Sequence, residues 1–107
     1  MTQARMDWQA LRLEMRGHAG SAERGKDLVC AAESMLTQAL IRTLMDMEAE
    51  ARLQMRWKGS AEAGTMDIEA VPAEEHENET RACFRVTVTG LRMLAEAYPE
   101  YIKLEEE

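Results

Sequence analysis

Two side chains that could do nucleophilic chemistry together, His18 and Cys30, lie close to one another in the chain. Each is one of only two residues of its type among 107, and the segment that holds them reads GHAGSAERGKDLVC at residues 17–30. Gly20 and Gly25 lie between them, and glycine lets a loop bend back so that an imidazole can approach a thiol. A thiol beside such a base is an activated nucleophile that can attack a carbonyl carbon. The alternative is a small, inert, buried cysteine near a surface histidine.

Asp27 favours the first interpretation, because it lies where a helix is expected to begin. Its short carboxylate precedes a run in which apolar residues recur at three- and four-residue steps, and this pattern predicts an N-cap. Cys30 then lies in the first helical turn, where unpaired backbone N–H groups and the helix dipole stabilise negative charge on sulfur. The N–H groups of this turn are also expected to bind the oxyanion of an attacked carbonyl. Ser34 lies one turn further on the same face, where it either hydrogen-bonds near the sulfur or packs against a sheet.

The rest of the chain predicts the elements that position these residues. Alternation of apolar and polar residues is typical of strands with one buried face, and steps of three and four residues are typical of helices. The order β-β-α-β-β-α-β predicts an α+β fold, a mostly antiparallel sheet with two helices packed on it. Strands are expected at residues 2–6, 10–16, 52–58, 65–71 and 101–105, helices at 28–50 and 80–98, and a loop at 17–26.

Some of these assignments depend on which residues are expected to be buried. The segment FRVTVTG has strand propensity, but Phe84 and Leu91 belong to a series at helical steps, so a helix is predicted there. In the first helix, apolar residues that include Leu28 and Met35 are expected to face the core. In the third strand, Trp57 is expected to share a buried face with the apolar residues two and four positions before it.

The composition argues against several classes of protein. The net charge of −7 arises in the second half, where residues 59–107 carry four Lys or Arg against twelve Asp or Glu. Such a surface repels phosphate, so a basic partner is expected and a nucleic acid is not. The chain has no apolar run of about eighteen residues and no secretory signal, so no membrane contact and a cytosolic location are expected. The cysteines are then expected to be free thiols, with no metal and no cofactor.

The segment GHAGSAERGKDLVCAAESML resembles the signature of the ribosomal-processing cysteine proteases, the Prp or YsxB-like family. The shared pattern is Gly-His-Ala, a glycine-containing loop, Gly-x-Asp-x-Val-Cys-Ala-Ala and a serine one turn later, and the tail GLRMLAEAYPEYIKLEE resembles the family's ending. The resemblance implies a single cysteine-protease domain over residues 1–107, with Cys30 as nucleophile and His18 as base. It also implies a cytosolic homodimer that removes the short N-terminal extension of large-subunit ribosomal protein twenty-seven.

The chain departs from the family in the loop that would cover a bound peptide. The family commonly has aromatic residues where Ser21 and Arg24 stand, so the shape preference is expected to differ while the chemistry is kept. Gly20 and Gly25 are the expected hinges of this loop. Asp27 matches the family's aspartate three residues before the cysteine; a cap is enough to explain it, and an added part in orienting the histidine is the alternative.

Two other functions stay open. The acidic half suits a non-enzymatic ribosome-assembly module that holds a basic ribosomal protein, and loss of cleavage in a Cys30→Ala variant separates this function from a protease. A redox sensor would need a resolving cysteine. Cys83 lies in the other predicted helix with no cap or histidine nearby, so the redox function is the weakest of the three.

Overall fold

Across the residues that the structure describes, 1–23, 27–60 and 62–107, strands and helices follow one another in the predicted order. The structure is a computed structural model. A 3-10 turn precedes the second helix, and the bounds differ from the predicted ones by a few residues. The elements are β1 (Thr2–Asp7), β2 (Arg12–Arg16), α1 (Leu28–Ala49), β3 (Leu53–Ser60), β4 (Thr65–Pro72), α2 (Glu77–Ala97) and β5 (Ile102–Glu106).

The strands form one sheet in the order β3-β4-β2-β1-β5. The β1–β2, β2–β4 and β3–β4 pairs are antiparallel, and the β1–β5 pair is parallel. Met6 lies opposite Leu13, and Leu13 lies opposite Ile68, so these fully buried side chains share the face that both helices cover. The predicted α+β architecture, with a mostly antiparallel sheet, is therefore confirmed.

The other face of the sheet is open and charged. Arg12, next to Leu13 in β2, makes two hydrogen bonds to the Asp67 carboxylate at 3.0 and 2.6 Å. Successive residues of a strand point to opposite faces, so the alternation read in the sequence becomes one apolar and one charged surface. The helices and the core therefore lie on one side of the sheet.

The ambiguous FRVTVTG segment lies within α2, as its helical spacing predicted. Phe84, Val88 and Leu91 are fully buried, which shows that burial on one helix face overrides the strand propensity of a β-branched run. Gly90 has a packing role in this helix. A Cβ at that position would lie 2.6 Å from Cδ2 of Leu36, so the glycine lets α1 approach α2 closely.

The buried face of α1 differs from the predicted one. Val29, Leu40 and Leu44 face the core, whereas Leu28 is 81% exposed and Met35 is 70% exposed. The helix carries apolar residues on most of its sides, so periodicity alone cannot identify the side that is buried. By length and composition α1 could also cross a membrane, although the buried core helix of a soluble protein passes the same test.

The buried face of β3 was predicted correctly only in part. Leu53 is buried and Met55 is half-buried, but Trp57 is 48% exposed. β3 is an edge strand, with a neighbour on one side only, and Trp57 lines an open groove instead of the core.

Candidate active site

A groove at one end of the sheet holds both members of the predicted pair. It has a volume of about 410 Å³ and is lined from α1, from the ends of β2 and β3, and from the turn between β3 and β4. His18 and Cys30 line this groove together, and both also line a second cavity of about 440 Å³ with Gly20, Asp27 and Ser34. The fold therefore brings the two scarce side chains to one accessible surface.

Asp27 caps α1 as predicted, and it also anchors the preceding loop. Its Oδ1 accepts a hydrogen bond from the Cys30 N–H at 2.9 Å. The Ser21 N–H donates to Oδ2 at 2.9 Å, and the Ser21 hydroxyl donates to Oδ1. Because both carboxylate oxygens are engaged, Asp27 ties the loop that follows His18 to the helix turn that carries Cys30.

These contacts refine the sequence interpretation. Ser21 donates hydrogen bonds to Asp27, the capping residue. The described contacts of Asp27 do not include His18, so the role of Asp27 seen in the structure is structural. The Cys30 N–H donates to Asp27, so this one N–H of the turn is not free for the oxyanion. The other two predicted loop residues, Arg24 and Gly25, lie outside the described residues.

The hydrogen bonds to Asp27 change its acidity. Burial on its own would raise the pKa of this carboxyl, but the Ser21 hydroxyl and the backbone N–H groups of Cys30, Ser21 and Ala22 outweigh it and lower the pKa from 3.8 to about 2. A carboxyl whose pKa falls on folding stabilises the folded state above its unfolded pKa. That stabilisation is lost as the pH falls from about 4 to about 2.

We expect Asp27→Asn to be less stable than the wild type at pH 7 by about 1–2 kcal/mol, because a neutral amide is a poorer acceptor for these donors. The difference in the free energy of unfolding should shrink as the pH falls from about 4 to about 2. Urea denaturation at a series of pH values measures it. Asp46→Asn, on an exposed part of α1, is the control and should follow the wild type. A difference between Asp27→Asn and the wild type that does not change with pH would contradict the stated role of the carboxylate.

His18 is held by the turn between β3 and β4, which sequence analysis did not connect with the site. Its Nε2 lies 3.3 Å from the Glu62 carbonyl oxygen, and the Gly17 N–H donates to the Gly64 carbonyl at 2.7 Å. Gly64 has a φ of +63°, and a Cβ there would lie 2.8 Å from His18 Nε2. The one available signal was a glycine directly before a strand, where a left-handed residue often closes a hairpin.

The histidine and the thiol share the groove without being hydrogen-bonded to each other among the described residues, since the His18 ring faces Glu62. Ser34 is exposed and lines both cavities beside Cys30, so the first of its two predicted roles fits better than packing against the sheet. In residues 1–23, 27–60 and 62–107, no three His, Cys, Asp or Glu side chains form a group that could hold a metal ion. The arrangement is suited to nucleophilic chemistry on a ligand that enters the groove.

The two thiols are expected to differ in reactivity. Burial, and next the charge of Glu79, raises the pKa of the Cys83 thiol, and its sulfur faces Met47 Sδ at 3.7 Å. Cys30 lies at a helix start on an open groove. We expect iodoacetamide near neutral pH to label Cys30 at least about tenfold faster than Cys83, as peptide mapping by mass spectrometry would measure. Equal rates in the folded protein would remove the argument for an activated Cys30.

Comparison with known proteins agrees with this geometry. Residues 1–103 match the sequence pattern of a family described as cysteine protease Prp. None of the curated proteins matches the chain. The essential ribosomal processing protease Prp from S. aureus, solved with a covalently linked product peptide, has a similar fold. It has 20% identity and a TM-score of 0.83, with all of both chains covered.

Two other solved structures are similar. The S. aureus protease in complex with a substrate peptide has 18% identity and a TM-score of 0.76, again over all of both chains. SMU.848 from Streptococcus mutans has 27% identity and a TM-score of 0.71 over 98% of this chain and 90% of its own. The order of strands and helices described above is therefore that of a known fold.

Proposed function

Because this chain belongs to the Prp family of cysteine proteases, we propose that it is an endopeptidase that removes the short N-terminal extension of large-subunit ribosomal protein twenty-seven. The observation that carries the proposal is the groove that Cys30, at the capped start of α1, shares with His18. The similar S. aureus protease was solved with a covalently linked product peptide. A covalent link to product is what a cysteine nucleophile would leave.

In this mechanism Cys30 and His18 form the catalytic pair. His18 takes the thiol proton, the sulfur of Cys30 attacks the peptide carbonyl carbon, and a tetrahedral intermediate forms. Its collapse breaks the C–N bond, with the proton passing from His18 to the leaving amine, and leaves a thioester on Cys30. Water, deprotonated by His18, then attacks the thioester and releases the acid and the thiol.

The contact with Glu62 assigns the two ring nitrogens of His18. A carbonyl oxygen can only accept a hydrogen bond, so Nε2 must carry a proton when it bonds to the Glu62 oxygen at 3.3 Å. Nδ1 then holds the lone pair and is the nitrogen that takes the thiol proton. In this proposal the turn between β3 and β4 sets the tautomer of the base, the role that a carboxylate has in a Ser-His-Asp triad.

The oxyanion needs a donor other than the Cys30 N–H, which is bonded to Asp27. Ser34 is exposed on the same side of α1 and lines both cavities with Cys30, so we assign its hydroxyl as one donor. Removing a single oxyanion donor typically lowers kcat by about 10²–10³-fold.

The direct test uses the ribosomal protein with its native extension. Mass spectrometry after incubation with the wild-type enzyme should show one shortened product, and a protein with a scrambled extension should stay intact. The alternative, an assembly module that binds through its acidic second half, predicts a salt-sensitive complex and an intact extension. Binding of the ribosomal protein without any shortening would reject the protease proposal and favour that module.

We further propose that the protein acts in the cytosol as a homodimer, as the family resemblance implies. The exposed apolar side chains of Leu28, Met35 and Met45 on α1 support a partner on this helix. Removal of these side chains would expose less apolar surface, so sedimentation of a triple Ser variant should show more monomer than the wild type.

A further inference from the structure

Glu33 is a buried acid at the candidate active site that the mechanism above does not use. It lies in α1 one turn beyond Cys30, lines the same groove and is only 6% exposed. Its Oε2 accepts a hydrogen bond from the Thr2 hydroxyl at 2.9 Å, whereas Oε1 has no partner among the described residues. Burying a carboxylate oxygen without a hydrogen-bond partner costs free energy. Oε1 of Glu33 is therefore available to a donor that a ligand would bring.

The surroundings of Glu33 indicate what would complete it. Burial, above all, raises the pKa of this carboxyl, and the nearby Asp27 charge adds to the effect, while the Thr2 hydroxyl, the N-terminal ammonium and His18 act in the opposite direction. No Lys or Arg is found among the described residues that line the groove. A cation brought by a ligand would therefore meet a carboxylate with one unpartnered oxygen and no competing Lys or Arg side chain in the groove.

The groove also has walls that suit a long basic side chain. Met15, Met66 and the exposed ring of Trp57 line it together with Glu33. Lysine and arginine bury their methylene stems on apolar surface and place the charged head against an acceptor. The apolar walls and the single acidic oxygen therefore match the two parts of such a side chain.

We propose that Glu33 is a specificity-determining residue that receives the Lys or Arg side chain of a substrate residue near the scissile bond. This inference rests on the proposed function for its catalytic readout, but the site can be tested by binding alone. The charged head would bond to Oε1, while Thr2 continues to hold Oε2. One basic residue close to the cleaved bond should therefore be preferred over an uncharged residue of the same length.

The test is a peptide scan in which one position at a time, from four residues before the cleaved bond to four after it, carries either Lys or norleucine. With the wild type, kcat/KM at one position should be roughly tenfold or more higher for Lys, the size expected for a charge-assisted hydrogen bond. Glu33→Gln keeps the size and an acceptor for Thr2 but removes the charge. This variant should lose the preference, so that its own kcat/KM values for the Lys and norleucine peptides agree within about twofold.

Two controls keep the test decisive. Asp46→Asn removes the same charge from α1 outside the groove and should keep the full preference. If Glu33→Gln does not fold, the wild type alone suffices, because a Glu placed at the preferred position should be cleaved more slowly than norleucine. Equal rates for Lys, norleucine and Glu at every position, or an equal loss on all peptides in Glu33→Gln, would overturn the proposal.

A binding measurement separates this proposal from the proposed function. In a Cys30→Ala background, fluorescence anisotropy should give a Kd for the Lys peptide roughly tenfold or more lower than for norleucine, and Glu33→Gln should abolish the difference. If the Lys peptide binds more tightly while the wild type cleaves no peptide, the protease function fails and the proposed Lys-binding role of Glu33 stands. If the wild type cleaves peptides with no Lys preference in either measurement, the proposed Lys-binding role of Glu33 fails and the protease function stands.

Discussion

Cys30→Ala is expected to lower kcat/KM for peptide cleavage by at least about 10³-fold, because no thioester can form without the sulfur. The variant should keep its fold, since Cys30 is only half-buried and its backbone N–H bond to Asp27 does not involve the sulfur. Initial rates on a fluorogenic peptide, with thermal unfolding measured on the same samples, separate the loss of chemistry from the loss of structure.

Cys83→Ala is the matched control for this substitution. Cys83 is the other half-buried thiol, and it faces Met47 in the contact between α1 and α2, away from the groove. The control should keep the rate within about twofold while it loses some stability, because a half-buried thiol group is removed from the contact with Met47. Cleavage that survives Cys30→Ala, or disappears in Cys83→Ala, would place the nucleophile elsewhere.

Gly64→Ala is also expected to lower activity strongly, and it tests the role of the turn between β3 and β4. The new Cβ would lie 2.8 Å from both His18 Nε2 and the Gly17 carbonyl oxygen, and the backbone has a φ of +63°. A left-handed alanine costs about 1 kcal/mol or more of stability. The displaced imidazole should cost roughly 10²-fold in kcat/KM, the size expected for a misplacement of about 1 Å.

Gly20→Ala separates the strain from the contact with His18. Gly20 also has a positive φ, +72°, but its Cβ would enter open space, with the His18 carbonyl oxygen 3.9 Å away. Both variants should therefore lose stability to the left-handed backbone in urea denaturation. Gly64→Ala should lose more stability because of the contact with the Gly17 carbonyl, and it should also lose more activity. Equal activity in the two variants would contradict the role given to the turn in holding the base.

The sequence was sufficient to predict the order of strands and helices, because local patterns of apolar residues determine them. Alternation in β2 and the helical spacing of Phe84, Val88 and Leu91 each indicate one buried face, and burial on that face was found. The prediction that Leu28 and Met35 face the core was wrong. Which side of α1 is buried depends on where the sheet lies, and the sequence of the helix alone does not determine this. Tertiary packing therefore decided what periodicity left open.

The site was predictable to a similar extent. Asp27 as the cap of the Cys30 helix follows from local sequence and is confirmed. The contact between His18 and Glu62 joins residues 44 positions apart through strand pairing, so no local pattern signals it. Glu33 reads as a polar residue within a helix, and its burial becomes visible only when the start of β1 packs on α1 through Thr2. Each missed feature depends on contacts between distant segments.

The most direct measurement is the intact mass of the protein, quenched in acid during turnover of a cleavable peptide. We predict a species heavier than the free enzyme by the acyl part of the peptide, with the added mass mapped to Cys30 and absent from Cys30→Ala. His18→Gln should accumulate little of it, because the thiol is then not deprotonated. Cleavage with no adduct, or an adduct mapped to any residue other than Cys30, would contradict a cysteine protease mechanism at this groove.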